Sequence, residues 1–239
     1  MSNNNLDRLA ELRWPGDFID KVICGDCLEV MKLIPDKSID LILADPPYGI
    51  GFNYNENFTD YNEPKKYGHW LKKVIKQTSR ILKDQKWAFF WQAMPYCNEW
   101  HKWFPAGYRI FAGIKNFAQY RPIHIQYSWD PIIFWNMTKS EIKGQAGLRD
   151  YHIGNTARWV AEPSMGHPCP RPLDTVKFII SMCSNIDDVV LDPFLGSGTT
   201  AVACKELGRH LIGIEINPEY CKIAERRLAQ TAYQPELAL

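Results

Sequence analysis

The sequence predicts an α/β fold, a doubly wound and mostly parallel sheet covered on both faces by helices. Two observations carry that reading. Short runs rich in Val, Ile and Leu alternate with longer stretches of helical period, and two of those runs end in loops whose Gly, Pro and Asp residues mark turns rather than continuing strands. The 239 residues, 46% hydrophobic and 13% aromatic, lie in the range of an ordinary globular protein and can bury one large core. A single domain over 1–239 is therefore expected.

In chain order, strands are expected at 22–24, 39–44, 87–91, 109–114, 189–191 and 211–214, where β-branched and aromatic residues cluster. Helices fit 66–82, 94–103, 172–184, 199–207 and 217–230. Residues 125–127 and 132–135 read as further β structure, in antiparallel pairing. Between 136 and 166 the periodicity fades into a stretch containing Gly, Asn and Ser, too long for a passive connection and so a candidate functional segment.

The net charge of +1 hides a strong asymmetry. Residues 1–62 carry 5 basic and 11 acidic side chains, residues 63–171 carry 17 and 7, and residues 172–239 carry 6 and 9. Eight of the nine tryptophans, Trp70 to Trp159, fall in the basic middle. Basic and aromatic side chains together suit a phosphate backbone and unstacked bases. Lys65, Lys66, Lys72, Lys73, Lys76, Lys83 and Lys86 read equally well as the solvated face of one helix.

The seven cysteines are odd in number and scattered, several within apolar runs, which reads as reduced core thiols. Cys24 and Cys27 form a C-x-x-C pair with no second pair to complete four zinc ligands, so no metal site is expected. Nothing approaches the ~20 apolar residues of a membrane helix. The polar opening Met1–Asn5 lacks a signal-peptide pattern, and a soluble, cytoplasmic protein is the expectation.

Two loops carry chemistry. The first is Asp192-Pro193-Phe194-Leu195-Gly196-Ser197-Gly198-Thr199-Thr200, between the strand at 189–191 and a helix. Its glycines let a ligand approach the backbone near free amides at a helix start. No lysine follows Gly198, and the spacing is not G-x-G-x-x-G, so neither a phosphate clamp nor a dinucleotide fingerprint is present. Some twenty residues on, the strand at 211–214 ends in Glu215 and Ile216, where a carboxylate can accept hydrogen bonds from ribose hydroxyls. The second loop, Asp45-Pro46-Pro47-Tyr48-Gly49, follows the apolar strand at 39–44. Its prolines remove two amide donors, leaving carbonyl oxygens and the Asp45 carboxylate as acceptors suited to an amino group. Tyr48 adds a flat face for a planar base.

These two segments resemble the catalytic tetrapeptide and the S-adenosylmethionine loop of the DNA amino-methyltransferases, and their order, catalytic before cofactor, resembles the β group. Gly25-Asp26-Cys27-Leu28 is similar to the family's acidic turn near the cofactor adenine, and His167-Pro168-Cys169-Pro170-Arg171-Pro172 to the motif preceding the cofactor loop, with Pro170 and Arg171 where the family has a polar residue and a lysine. The resemblance implies a Rossmann-like methyltransferase fold with permuted motif order and S-adenosyl-L-methionine as cofactor. It implies Asp45, Pro46, Pro47 and Tyr48 as catalytic residues. Asp26, Cys27, His167, Arg171, Asp192, Pro193, Phe194, Gly196, Ser197, Gly198, Thr199, Thr200, Glu215 and Ile216 are implied as cofactor-binding.

The reaction so implied moves a methyl group to the exocyclic N6 of an adenine flipped out of double-stranded DNA, with N4 of cytosine as the alternative acceptor and a non-catalytic DNA-binding subunit as the reading from another class. Residues 136–166, with Arg149, Tyr151, His152, Asn155 and Arg158, are the candidate recognition insertion. Its shortness points either to a short recognition site or to a homodimer that reads DNA with both subunits, and a companion restriction endonuclease is a partner the resemblance allows.

Overall fold

The computed structural model describes residues 9, 11–49, 53–55, 58–59, 63–116, 128–136, 149–154 and 171–234. Its centre is an eight-stranded sheet. The strands are β1 (Lys21–Cys24), β2 (Ile39–Ala44), β5 (Leu82–Trp91), β6 (Arg109–Lys115), β7 (Trp129–Asn136), β8 (Tyr151–Gly154), β9 (Val189–Asp192) and β10 (His210–Glu215). A separate antiparallel pair joins β3 (Asn53–Asn55) to β4 (Phe58–Thr59). The helices are α1 (Cys27–Met31), α2 (Pro64–Ile81), α3 (Trp100–Trp103), α4 (Leu173–Cys183), α5 (Thr199–Leu207) and α6 (Pro218–Gln230).

The strand order is β1-β10-β9-β2-β5-β7-β6-β8. β7 runs antiparallel to both its neighbours, and every other pairing in this sheet is parallel. The expected doubly wound α/β architecture is present. Every residue of β2 is buried because both faces of the sheet are covered. Ile42 and Ala44 join the core on one face with Val30, Tyr67 and Phe90, while Leu41 and Leu43 join the other with Phe89, Val176 and Leu207. The two-residue strand period thus feeds two cores from one strand.

Three elements differ from expectation. The strand expected at 87–91 begins at Leu82, directly after α2, because Leu82 pairs with Ile39 across an irregularity in the β2–β5 register. The helix expected over 94–103 is a 3₁₀ turn, Met94–Tyr96, followed by the four residues of α3, which bury Trp100 and Trp103 three positions apart. The fading stretch at 136–166 contains a strand, β8, pairing in parallel with β6 at the sheet edge. Residues 125–127 lie outside the described residues.

The lysine run divides. Lys65, Lys72, Lys73 and Lys76 are exposed on α2, as is Lys66, which pairs with Glu63 at 2.8 Å. Lys83 and Lys86 are not on that helix. Both reach Asp40 of β2, at 2.8 and 3.2 Å, and Lys86 also meets Asp188 at 2.9 Å. They close the amino-terminal edge of the sheet, the end opposite the two motif loops. Burial opposes ionisation of Asp40, but these lysines and the Val189 amide outweigh it and hold the carboxyl below its ordinary value.

Candidate active site

β2 and β9 are hydrogen-bonded neighbours, with Leu41 opposite Val190 and Ile42 opposite Leu191. Asp192 and Asp45 therefore leave the same edge of the sheet at its centre. In a doubly wound sheet this is where ligands bind, beyond the carboxyl ends of adjacent strands. The juxtaposition needs no closeness in sequence.

The glycine loop is built from its acids. Asp192 accepts the Phe194 amide at 2.9 Å through Oδ1 and the Thr200 hydroxyl at 2.6 Å through Oδ2, folding the loop over its own strand. Glu215, at the end of β10, accepts the Gly196 amide at 2.8 Å and, through its other oxygen, the Asn217 amide at 2.8 Å. Gly198 has φ +88°, and a Cβ there would lie 2.9 Å from the backbone of Ala224, so the turn into α5 requires glycine on both counts. Pro193, Ser197, Thr199 and Thr200 are buried, and Arg227 of α6 donates to the Ser197 carbonyl at 2.8 Å. Phe194 packs on Trp70 of α2 with ring centroids 5.7 Å apart, while Ile216 is exposed beside Glu215.

Burial pushes the Asp192 carboxyl up to about 7, with Asp45 and Glu215 adding to the rise and the two hydrogen bonds opposing it. Burial likewise raises Glu215. Asp26 caps α1 through bonds to the amides of Leu28 and Glu29, and Cys27 is buried with its thiol raised by desolvation. His167 lies outside the described residues.

The loop from Asp45 to Gly49 is braced from the helical side. Gly49 has φ +72°, and a Cβ there would sit 2.6 Å from Cγ of Tyr67, so α2 presses directly against the loop's end. Tyr96 donates its hydroxyl to the Gly49 carbonyl and stacks on Tyr67 at 6.0 Å. Neither tyrosine carries a sequence signal beyond an apolar position at helical spacing.

Around Asp45 the charges form a chain. The Tyr48 hydroxyl donates to Asp45 Oδ1 at 2.7 Å. Arg171 donates through Nη2 to Asp45 Oδ1 at 2.8 Å and through Nε to Oδ2 at 2.7 Å, and it also donates to the Tyr48 oxygen. Its Nη1 donates to Asp130 of β7 at 3.2 Å, and Asp130 accepts from Lys115 at 2.8 Å. Burial pushes the Tyr48 phenol well above its ordinary value, against the pull of Arg171, so its hydroxyl remains a donor. Arg171, grouped by sequence with the residues expected to bind the cofactor, meets the Asp45–Tyr48 loop instead. Asp130 and Lys115 were not marked by any motif.

Of the residues expected to read base edges, Arg149 and Tyr151 are exposed, with the guanidinium 5.7 Å from the tyrosine ring centroid. His152 is turned inward. It bonds the Thr175 hydroxyl at 3.1 Å and stacks on Phe178 at 4.7 Å, packing β8 against α4, so it is not presented to a base. Asn155 and Arg158 lie outside the described residues.

Residues 39–226 match the N6/N4 methyltransferase family model, described as DNA methylase. The chain belongs to this DNA methylase family. A relative, the DNA adenine methyltransferase YhdJ of Escherichia coli (strain K12), is 32% identical over 89% of the chain and 84% of that protein. Among solved structures, the PvuII DNA methyltransferase, cytosine-N4-specific, aligns with a TM-score of 0.69 at 19% identity, covering 93% of each chain. The complex of M1.HpyAVI with S-adenosylmethionine aligns with a TM-score of 0.60 at 23% identity, over 87% of this chain and 99% of that one. The family's range covers both amino-group acceptors, N6 of adenine and N4 of cytosine. Among the described residues no helix is long and apolar enough to cross a membrane, and no group of acids, histidines and cysteines is arranged to hold a metal.

Proposed function

We propose that this DNA methylase transfers a methyl group from S-adenosyl-L-methionine to N6 of an adenine turned out of double-stranded DNA. The observation that carries the reading is the meeting of an acceptor-rich, amide-poor loop, Asp45-Pro46-Pro47-Tyr48, with a glycine loop at the ends of two adjacent parallel strands.

The residues present fit the cofactor. Asp45, Asp192 and Glu215 converge, while Arg171 answers mainly Asp45, so a buried negative site is left that a cation would balance. Glu215 keeps lone pairs for ribose hydroxyls beyond its two amide bonds, and exposed Ile216 offers an apolar surface to a purine. When bound, the cofactor supplies a methyl group on a positively charged sulfur.

The chain's own contribution is orientation. The exocyclic nitrogen is a poor nucleophile because its lone pair is delocalised into the ring. Hydrogen bonds from its two hydrogens to Asp45 and the Pro46 carbonyl favour a pyramidal nitrogen with the lone pair directed at the methyl group. These bonds strengthen as positive charge grows on nitrogen, which lowers the barrier rather than merely tightening binding. The nitrogen's proton becomes acidic only after transfer and then passes to Asp45 or to water, so Asp45 need not act as a strong base. Tyr48 stacks on the extruded base, whose extrusion costs a few kcal/mol. Residues 136–166 form the recognition insertion of a single domain over 1–239.

Aspartate as the first residue of the tetrapeptide favours adenine, and the adenine specificity named for YhdJ supports the same choice. Mapping the modified base in DNA treated with the protein tests it. N6-methyladenine is expected, and N4-methylcytosine alone would transfer the same mechanism to the other acceptor.

A further inference from the structure

Pro46 and Pro47 deny the Asp45 carboxylate the backbone amides that ordinarily hold an acid at a strand end. One hydrogen bond from Tyr48 leaves that carboxylate free to rotate about its own bond. The fork of Arg171 does not, because Nε and Nη2 bond different oxygens and so define the plane of the group. We propose that Arg171 is a positioning residue for methyl transfer, holding the Asp45 carboxylate in the orientation that receives the target amino group; this rests on the methyl-transfer reading above.

The lone pairs leave room for that group. A carboxylate offers about four acceptor positions. Tyr48 and Nη2 use two on Oδ1, and Nε uses one on Oδ2, so one position on Oδ2 remains for an amino hydrogen. Arg171 is itself held from the far side by Asp130, which pairs with Lys115, and both of these sit on the β6–β7 ladder. Its guanidinium also lies 5.6 Å from the centroid of the Tyr48 ring, the ring that stacks on the base. One planar cation thus orients both the acceptor and the stacking face. A lysine at 171 would bring a point charge without the planar fork. With Nε, Nη1 and Nη2 all committed, little of the guanidinium is left to serve a cofactor carboxylate.

The test uses the full chain, tritiated S-adenosylmethionine and genomic DNA from a methylation-deficient host. Arg171→Ala should lower kcat on the order of 100-fold, the loss that slight misplacement at a reacting centre produces, with the cofactor Kd by calorimetry unchanged. Guanidinium chloride at millimolar concentration should restore part of the rate, since it fits the space left between Asp45, Tyr48 and Asp130, and potassium chloride at equal ionic strength should not. Arg171→Lys should keep the cofactor Kd and still lose kcat, and it carries the test alone if the alanine variant does not fold. A wild-type kcat in either variant, a loss confined to cofactor affinity, or a deficit that guanidinium leaves untouched would overturn the inference. A wild-type chain that methylates no DNA would instead overturn the methyl-transfer reading, and the inference with it.

Discussion

Glu215 Oε2 accepts the amide of Gly196 at 2.8 Å, so the acid that ends β10 shapes the loop that follows β9. The same carboxylate bonds the Asn217 amide ahead of α6. On the proposed reading it would act toward a cofactor in two ways, through its remaining lone pairs and through the loop it supports.

Glu215→Ala should strand the two amides and slacken the loop. Losing hydrogen bonds to a charged acceptor costs about 1.5–3 kcal/mol. Cofactor affinity should fall by roughly 10- to 100-fold, while kcat at saturating cofactor changes little. Calorimetric titration with S-adenosylmethionine and steady-state kinetics check the two halves separately, and a kcat collapse with normal affinity would contradict the assignment.

Asp45→Asn replaces one acceptor oxygen by a donor while keeping the side chain's shape. The amide would point hydrogens at Arg171 or at the incoming amino group, so transfer should drop by at least 100-fold. Cofactor binding should persist because the glycine loop is untouched. Filter-binding of labelled methyl groups to DNA reads the first effect, and loss of cofactor binding would show that the two loops do not divide the work.

Much of this site is legible in the residue order, for physical reasons. A strand that must be buried on both faces reads as unbroken apolar residues, which marks 41–44, and a turn without amide donors reads as consecutive prolines. The pairing of Arg171 with Asp45 spans 126 residues and leaves no periodicity to detect. Lys83 and Lys86 belong to a run of lysines that looks uniform, yet they leave the helix and satisfy Asp40 and Asp188, because an ion pair is chosen by the fold's register rather than by local composition. His152 likewise looked available within an irregular stretch until β8 paired with β6 and turned it toward α4.

The raised carboxyl of Asp192 sets a pH dependence whose sign can be worked out. Burial moves it from 3.8 to about 7, so the folded chain holds this proton more tightly than the unfolded chain does. Its contribution to stability is fully present below about 3.8 and is lost as pH rises to about 7. Asp192→Asn, neutral at every pH, should therefore gain stability over the wild type progressively between pH 4 and 7 and hold that gain at pH 8. Urea unfolding across the range measures it. Binding of a cationic cofactor should show the converse, weakening toward tenfold per pH unit below 7 in the wild type and less steeply in the variant.

Gly49 meets two constraints at once, since it sits at φ +72° and its α-carbon faces the Tyr67 ring. Alanine at this position would carry about 1 kcal/mol of left-handed backbone strain and place a methyl group 2.6 Å from Tyr67 Cγ, closer than real contacts allow. The loop must then move away from α2, and Asp45 and Tyr48 move with it. Gly49→Ala should therefore lose kcat far more than it loses cofactor affinity. Tyr67→Ala in the same chain removes the ring but leaves the backbone strain and a Cβ only 2.8 Å from the new methyl group, and it opens a cavity in a fully buried site, a loss of about 3–5 kcal/mol for a large aromatic residue. The double variant should thus regain little of kcat while unfolding at lower urea than either parent, and a full recovery of the rate would show that the ring alone displaces the loop.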